Sequence, residues 1–197
     1  MPSLWQHADF RRLWLGQTVS QLGSVVTRTA VPLVALLVLG AGPRELALLV
    51  VVTSAGVLLV GLFAGAWVDR LRRLPLLVWN DVVRALLLAW IPFAFGFGVL
   101  RIEQLYFVMF LEASLGALFD AAYPAYVPTL IGTGRLVEGN SKLAMSEAIA
   151  EVGGPGIAGA LVQIIGGPFA MLVDAGSFVV SAFSLGLIET PEPERPP

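Results

Sequence analysis

Gly65-Ala66-Trp67-Val68-Asp69-Arg70-Leu71-Arg72-Arg73 breaks an apolar sequence with one acid and three arginines. Residues 46–68 run into it and residues 74–100 follow it, and each stretch is long and apolar enough to cross a bilayer. About 20 such residues suffice, at about 1.5 Å rise each. The charged segment therefore reads as a hinge between two membrane spans, held at one surface of the lipid. Its arginines say which surface, because Lys and Arg accumulate on the cytoplasmic side.

Working outward, residues 13–39, 105–131, 141–165 and 169–188 qualify as further spans. The breaks between them carry turn chemistry: Gly40-Ala41-Gly42-Pro43, Gly132-Thr133-Gly134 and Gly166-Gly167-Pro168. The composition agrees. Of 197 residues 57% are hydrophobic and 13% charged, with a mean hydropathy of +0.83, whereas a soluble domain carries about 25% charged residues. The first apolar run exceeds the roughly 7–15 residues of a signal-peptide core and meets no small-residue cleavage site, so it reads as a retained span. The expected fold is an all-α membrane protein: residues 1–12 a cytoplasmic segment, 13–188 a bundle of six transmembrane helices, and 189–197 a solvated Pro/Glu linker.

With the N-terminus in the cytoplasm, Arg11, Arg12, Arg70, Arg72, Arg73, Arg84, Arg135, Lys142 and Arg195 fall on the inner side, and only Arg44 and Arg101 on the outer. Both termini are expected to be cytoplasmic. A net charge of −2 without a basic stripe excludes a nucleic-acid partner. The absence of cysteine and the single histidine, His7, leave no expected metal site and no cofactor. No G-x-S-x-G or comparable nucleophile motif argues for an enzyme.

Charges inside spans demand a use, since an arginine near mid-membrane costs at least about 2.5–3.5 kcal/mol. Arg28 is such a residue. It precedes Pro32 by four positions, as Asp120 precedes Pro124, so the pair is expected either to meet across a cavity or to present opposite charges to a ligand. Tyr123 and Tyr126 are candidate cavity aromatics. Asp81 and Arg84, three apart, can pair with each other. Glu147 and Glu151 share one face of the fifth span and are proton-relay candidates, Glu151 the deeper. The run Gly153-Gly154-Pro155-Gly156-Ile157-Ala158-Gly159 is expected to bend that span, with Gly154, Pro155 and Gly159 at the bend. Glu112 and Asp174 read as nearer the outer side, Asp174 as structural. Gly61 and Gly65 form a small-residue face, open either to packing within the bundle or to another helix.

The hinge Gly65-xxx-Asp69-Arg70-xx-Arg73, placed between spans two and three, resembles the signature loop of the major facilitator superfamily. Phe10-Arg11-Arg12-Leu13-Trp14, Asp81-Val82-Val83-Arg84-Ala85, Asp120-Ala121-Ala122-Tyr123 and Leu172-Val173-Asp174-Ala175-Gly176-Ser177-Phe178 add to the likeness. It is closest to the bacterial branch of macrolide and siderophore exporters. The hinge departs from the usual pattern at Arg72, where a glycine is customary, and at Leu74, where a second basic residue is. The resemblance implies half of a transporter of about twelve spans, built as a 3+3 inverted repeat in which spans one and four correspond. It implies that Gly65 abuts a helix of a second six-helix bundle, with Asp69 near that helix's positive N-terminus. It also implies that Asp69, Arg70, Arg73, Asp81 and Arg84 form a gating network, and that Arg28 and Asp120 line a central cavity. The implied function is proton-coupled efflux of amphipathic small molecules across the bacterial inner membrane, with the proton gradient as energy source. The alternative is a non-transporting helix-bundle module, or a half-size subunit that assembles with a partner chain.

Overall fold

A computed structural model of the chain describes residues 4–192. Six helices long and apolar enough to cross a membrane follow one another: α1 (Ala8–Leu33), α2 (Pro43–Arg70), α3 (Arg73–Gly96), α4 (Ile102–Ile131), α5 (Leu136–Ile165) and α6 (Gly167–Gly186). No strand occurs among the described residues. A π-helical turn, Val34–Val38, extends α1 just beyond Pro32.

The ends follow local chemistry. Pro43 opens α2, where its missing N–H is no loss, and the Gly42 N–H donates to Glu45 Oε2 at 2.9 Å. The Arg101 N–H donates to Gln104 Oε1 at 3.1 Å at the start of α4. His7 is the N-cap of α1, its Nδ1 accepting from the Phe10 N–H at 3.4 Å. Gly132 and Gly166 close α4 and α5 at φ of 74° and 83°, a left-handed backbone that side chains with a Cβ resist. With ψ at 151°, Gly166 lies in a region open essentially to glycine alone, so Gly166→Ala is expected to cost about 1–3 kcal/mol, measurable by thermal unfolding in detergent.

Packing orders the helices as an arc, α5–α1–α6–α3–α4–α2. Exchanging 1 with 4, 2 with 5 and 3 with 6 turns this order into its own reverse. That is the symmetry of a 3+3 inverted repeat. The helices at the two ends of the arc, α2 and α5, are the least buried. Two glycines let neighbours approach closely inside it: a Cβ on Gly56 of α2 would lie 2.5 Å from the Phe110 carbonyl of α4, and one on Gly154 of α5 would lie 2.6 Å from Val25 Cγ1 of α1.

Two apolar layers make up the interior. The layer at the hinge end contains Phe10, Leu13, Leu77, Tyr126, Leu130 and Leu185; the other contains Ala30, Leu88, Ile91, Leu105, Met171 and Phe178. Between them, α1, α3, α4 and α6 each contribute polar side chains, so a polar belt crosses the middle of the bundle. The hinge and both ends of the described chain lie together, since the Arg12 guanidinium reaches the Leu187 carbonyl and Glu192 reaches the start of α3.

Residues 189–197 are the segment expected as a solvated linker, of which 189–192 are described. Its first residues are bonded to the bundle: Thr190 donates to Asp9 and Glu192 accepts from Arg73 and Leu74. Residues 193–197 lie outside the described residues.

Candidate functional site: a polar cavity at mid-bundle

The polar belt encloses a cavity of about 430 Å³ reached by all six helices. From α1 it receives Gln17, Ser20, Gln21, Ser24, Thr27 and Arg28, a polar stripe at intervals of three and four residues. That spacing puts all six on one helical face. Thr53 comes from α2, Arg84 from α3, Glu112 and Asp120 from α4, Glu147 from α5 and Asp174 from α6. Four acids and two arginines therefore surround one space.

Arg84 is the hub. Its guanidinium forms an ion pair with Glu112 of α4, with Nε also donating to Glu112 Oε1 at 3.1 Å. It sits 4.1 Å from the centre of the Phe178 ring of α6, a favourable cation–π position. Its charge also acts on Asp81, Asp120 and Asp174. The expected Asp81–Arg84 pair is not formed. Both belong to α3, but Arg84 turns to Glu112, while Asp81 is fully buried. Arg84 is thus a residue of the mid-bundle belt rather than of the inner loops.

Asp174 and Glu112 both line the cavity. Asp174 is fully buried and accepts from the Ser177 hydroxyl at Oδ1 (3.0 Å). Gly23 makes room for this arrangement, because a Cβ there would lie 2.6 Å from Asp174 Oδ1.

Arg28 and Asp120 both line the cavity, and no ion pair joins them. Of the two expectations for this pair, direct contact is not what the structure contains. Both side chains stand open, Arg28 close to Thr53 and Met109 in a side cleft toward α2. Pro32 and Pro124 cannot donate a backbone N–H, so the carbonyls of Arg28 and Asp120 lose their helical partners at matching places in α1 and α4. Tyr123 stands beside the main cavity in a smaller crevice with Gln17, Thr18, Gln21, Ser146 and Glu147. Its ring stacks on Phe119 and its buried hydroxyl has no partner. Tyr126, the other cavity candidate, is buried in the hinge-end core.

Glu147 reaches the cavity; Glu151, expected as the deeper relay carboxyl, is not among its lining residues and is exposed on α5. Pro155 denies the Glu151 carbonyl its helical donor, and α5 nonetheless runs unbroken from Leu136 to Ile165. Of the expected bend residues, Gly154 is buried against Val25, while a Cβ on Gly159 would meet nothing within 4 Å. At the hinge, a Cβ on Gly61 or Gly65 would likewise meet nothing within 4 Å, so the small-residue face is not used for packing inside the bundle. Arg73 donates to the Ala125 carbonyl of α4 at 2.5 Å. Asp69 and Arg70 are exposed. No cluster of His, Asp or Glu suited to a metal ion occurs among the described residues.

Comparison with known proteins accords with this arrangement. The family described as Major Facilitator Superfamily matches residues 13–197. The chain is 34% identical over 151 residues to the "Multidrug efflux pump Tap" of Mycolicibacterium fortuitum, covering 70% of this chain and 36% of that protein. It is 24% identical over 177 residues to the "Uncharacterized MFS-type transporter YfiS" of Bacillus subtilis (strain 168), covering 88% of this chain and 40% of that protein. The chain thus spans about two-fifths of the length of these relatives. No solved structure gives a significant match.

Proposed function

The chain belongs to the major facilitator superfamily, and from that premise we propose that it is the first six-helix half of a proton-coupled exporter of amphipathic small molecules. In this reading the transporter works by alternating access, two six-helix bundles rocking about a shared central site. The observation that carries the reading is the bare small-residue face of α2. A Cβ on Gly61 or Gly65 would meet nothing within 4 Å, and α2 ends the packing arc. Such a face lets a further helix approach closely.

The cavity supplies one wall of a central site. Its exposed Arg28 and Asp120 offer opposite charges to a ligand, and the apolar layers above and below suit an amphipathic one. Similarity to a multidrug efflux pump supports export. The coupling carboxyls are sought among Glu112, Asp120, Glu147 and Asp174, grouped around Arg84, with Glu151 the more remote candidate. A carboxylate that exchanges an arginine partner for a proton as the cavity opens is the usual means by which membrane acids carry protons. Gly65, Asp69, Arg70 and Arg73 form the gating surface toward the second bundle, Asp81 and Arg84 its continuation into the membrane. The excess of arginine at the hinge end supports a cytoplasmic placement of that end and of both termini, in what this reading takes to be the bacterial inner membrane.

The test uses proteoliposomes holding the chain with a second six-helix bundle, supplied in frame or as a separate chain. Efflux of a fluorescent lipophilic cation is followed under an imposed pH gradient. Transport is expected only with both bundles present, and collapse of the gradient is expected to stop it. Gly65→Leu should leave the isolated bundle within about 0.5 kcal/mol of the parent stability yet abolish capture of the second bundle. Gradient-driven efflux by the chain as a proven monomer would falsify the reading. Activity with a separate partner chain, rather than an in-frame half, would favour the half-size subunit.

A further inference from the structure

The start of α3 lies just past the charged hinge and lacks a cap of its own. Arg72 occupies the N-cap position and its side chain makes no capping bond. The first turn of a helix leaves N–H groups without internal acceptors. In α3 these are few, because Pro75 has no N–H and the Leu76 N–H already bonds the Arg72 carbonyl at 3.2 Å. Arg73 and Leu74 remain. Both donate to one carboxylate from the far end of the described chain: the Arg73 N–H to Glu192 Oε2 at 3.0 Å and the Leu74 N–H to Glu192 Oε1 at 2.5 Å.

A second anchor holds the residues just before Glu192. Asp9 Oδ2 accepts from the Glu189 N–H at 3.3 Å, the Thr190 N–H at 3.0 Å and the Thr190 hydroxyl at 2.6 Å. Arg12 donates to Asp9 Oδ1 at 2.7 Å and to the Leu187 carbonyl at 2.5 Å. The Arg73 side chain in turn donates to the Ala125 carbonyl of α4. One series of bonds thus runs from α1, through the segment that leaves α6, to the start of α3 and on to α4.

We infer that residues 187–192 are a strap that ties the exit of the sixth helix to the hinge, with Glu192 capping α3 from outside and Asp9 holding the strap in reach. Asp9 and Glu192 are then positioning residues for the 69–73 hinge. A carboxylate facing the positive end of a helix is well suited to this task. A displacement of the chain beyond Glu192 is transmitted to the first turn of α3 and so to the hinge, rather than only to the end of α6. The inference rests on the bundle alone and stands whether or not the chain is half of an exporter.

Amide hydrogen exchange on the purified chain in nanodiscs, resolved to single residues by fragmentation, tests it. In the parent chain the Arg73 and Leu74 amides are expected to be protected. Glu192→Ala should speed their exchange about tenfold, the equivalent of one lost helix cap, while amides across residues 77–94 of α3 stay unchanged. Glu192→Gln keeps a single acceptor oxygen and should retain protection at only one of the two amides. Asp9→Asn, and more mildly Thr190→Val, should speed exchange at Glu189 and Thr190, and a spin label at Pro191→Cys should become mobile in the Asp9→Asn background. Unchanged exchange at Arg73 and Leu74 in Glu192→Ala overturns the strap. A uniform rise along the whole of α3 overturns the positioning role, because it signals a general loss of stability.

Discussion

Arg84→Ala will destabilise the bundle by about 3–5 kcal/mol, the cost typical of removing one partner from a buried ion pair. The side chains of Arg84 and Glu112 are only 12% and 13% exposed, so the pair is largely shielded from bulk water. The loss reaches further than one pair, because the same guanidinium acts on Asp81, Asp120 and Asp174 and rests on the Phe178 ring. Unfolding in detergent, followed by helical circular dichroism against denaturant, gives the measurement. Glu112→Gln in the Arg84→Ala background should recover part of the loss, since it removes the carboxylate left unpaired. Equal stability of Arg84→Ala and the parent chain would mean that the belt is hydrated enough to dispense with the pair.

The second large effect is steric. Gly23→Leu inserts a side chain where a Cβ alone would already lie 2.6 Å from Asp174 Oδ1 and 2.7 Å from Ser177 Cβ. Backbone would have to move to admit it, and α1 and α6 would be forced apart at the belt. Overpacking of this kind costs about 1–3 kcal/mol, and loss of the Ser177–Asp174 hydrogen bond adds to it. Gly65→Leu is the control, the same substitution on a glycine whose Cβ would meet nothing within 4 Å. A thermal shift in the Gly23 variant and none in the Gly65 variant separates packing inside the bundle from packing on its open face. Similar shifts in both would show that Gly65 is enclosed after all.

Much of the fold was legible because membrane insertion is a local test. A run of apolar residues reports on itself, and the glycines at 40, 132 and 166 that end helices do so through their own φ. The hinge was legible for the same reason. Its contacts were not. Asp81 and Arg84 satisfied every rule for a pair along one helix, yet Arg84 found Glu112, 28 positions away on another. The polar stripe on α1 was present in the spacing of Gln17, Gln21, Ser24 and Arg28, and periodicity could have revealed it. Glu192 as the cap of α3 could not have been read, since 118 positions separate it from Leu74.

The sequence by itself determined that six helices are long and apolar enough to cross a membrane, roughly where they break, and which end carries the arginines. Those properties depend on hydropathy, turn residues and charge taken in order along the chain. Only the tertiary structure decided which charges meet, that a cavity stands at mid-bundle, and that the face of Gly61 and Gly65 is left open. Each residue turns a side chain about 100° around the helix axis. Its partner is therefore set by how neighbouring helices are rotated and packed, which no single stretch of sequence contains.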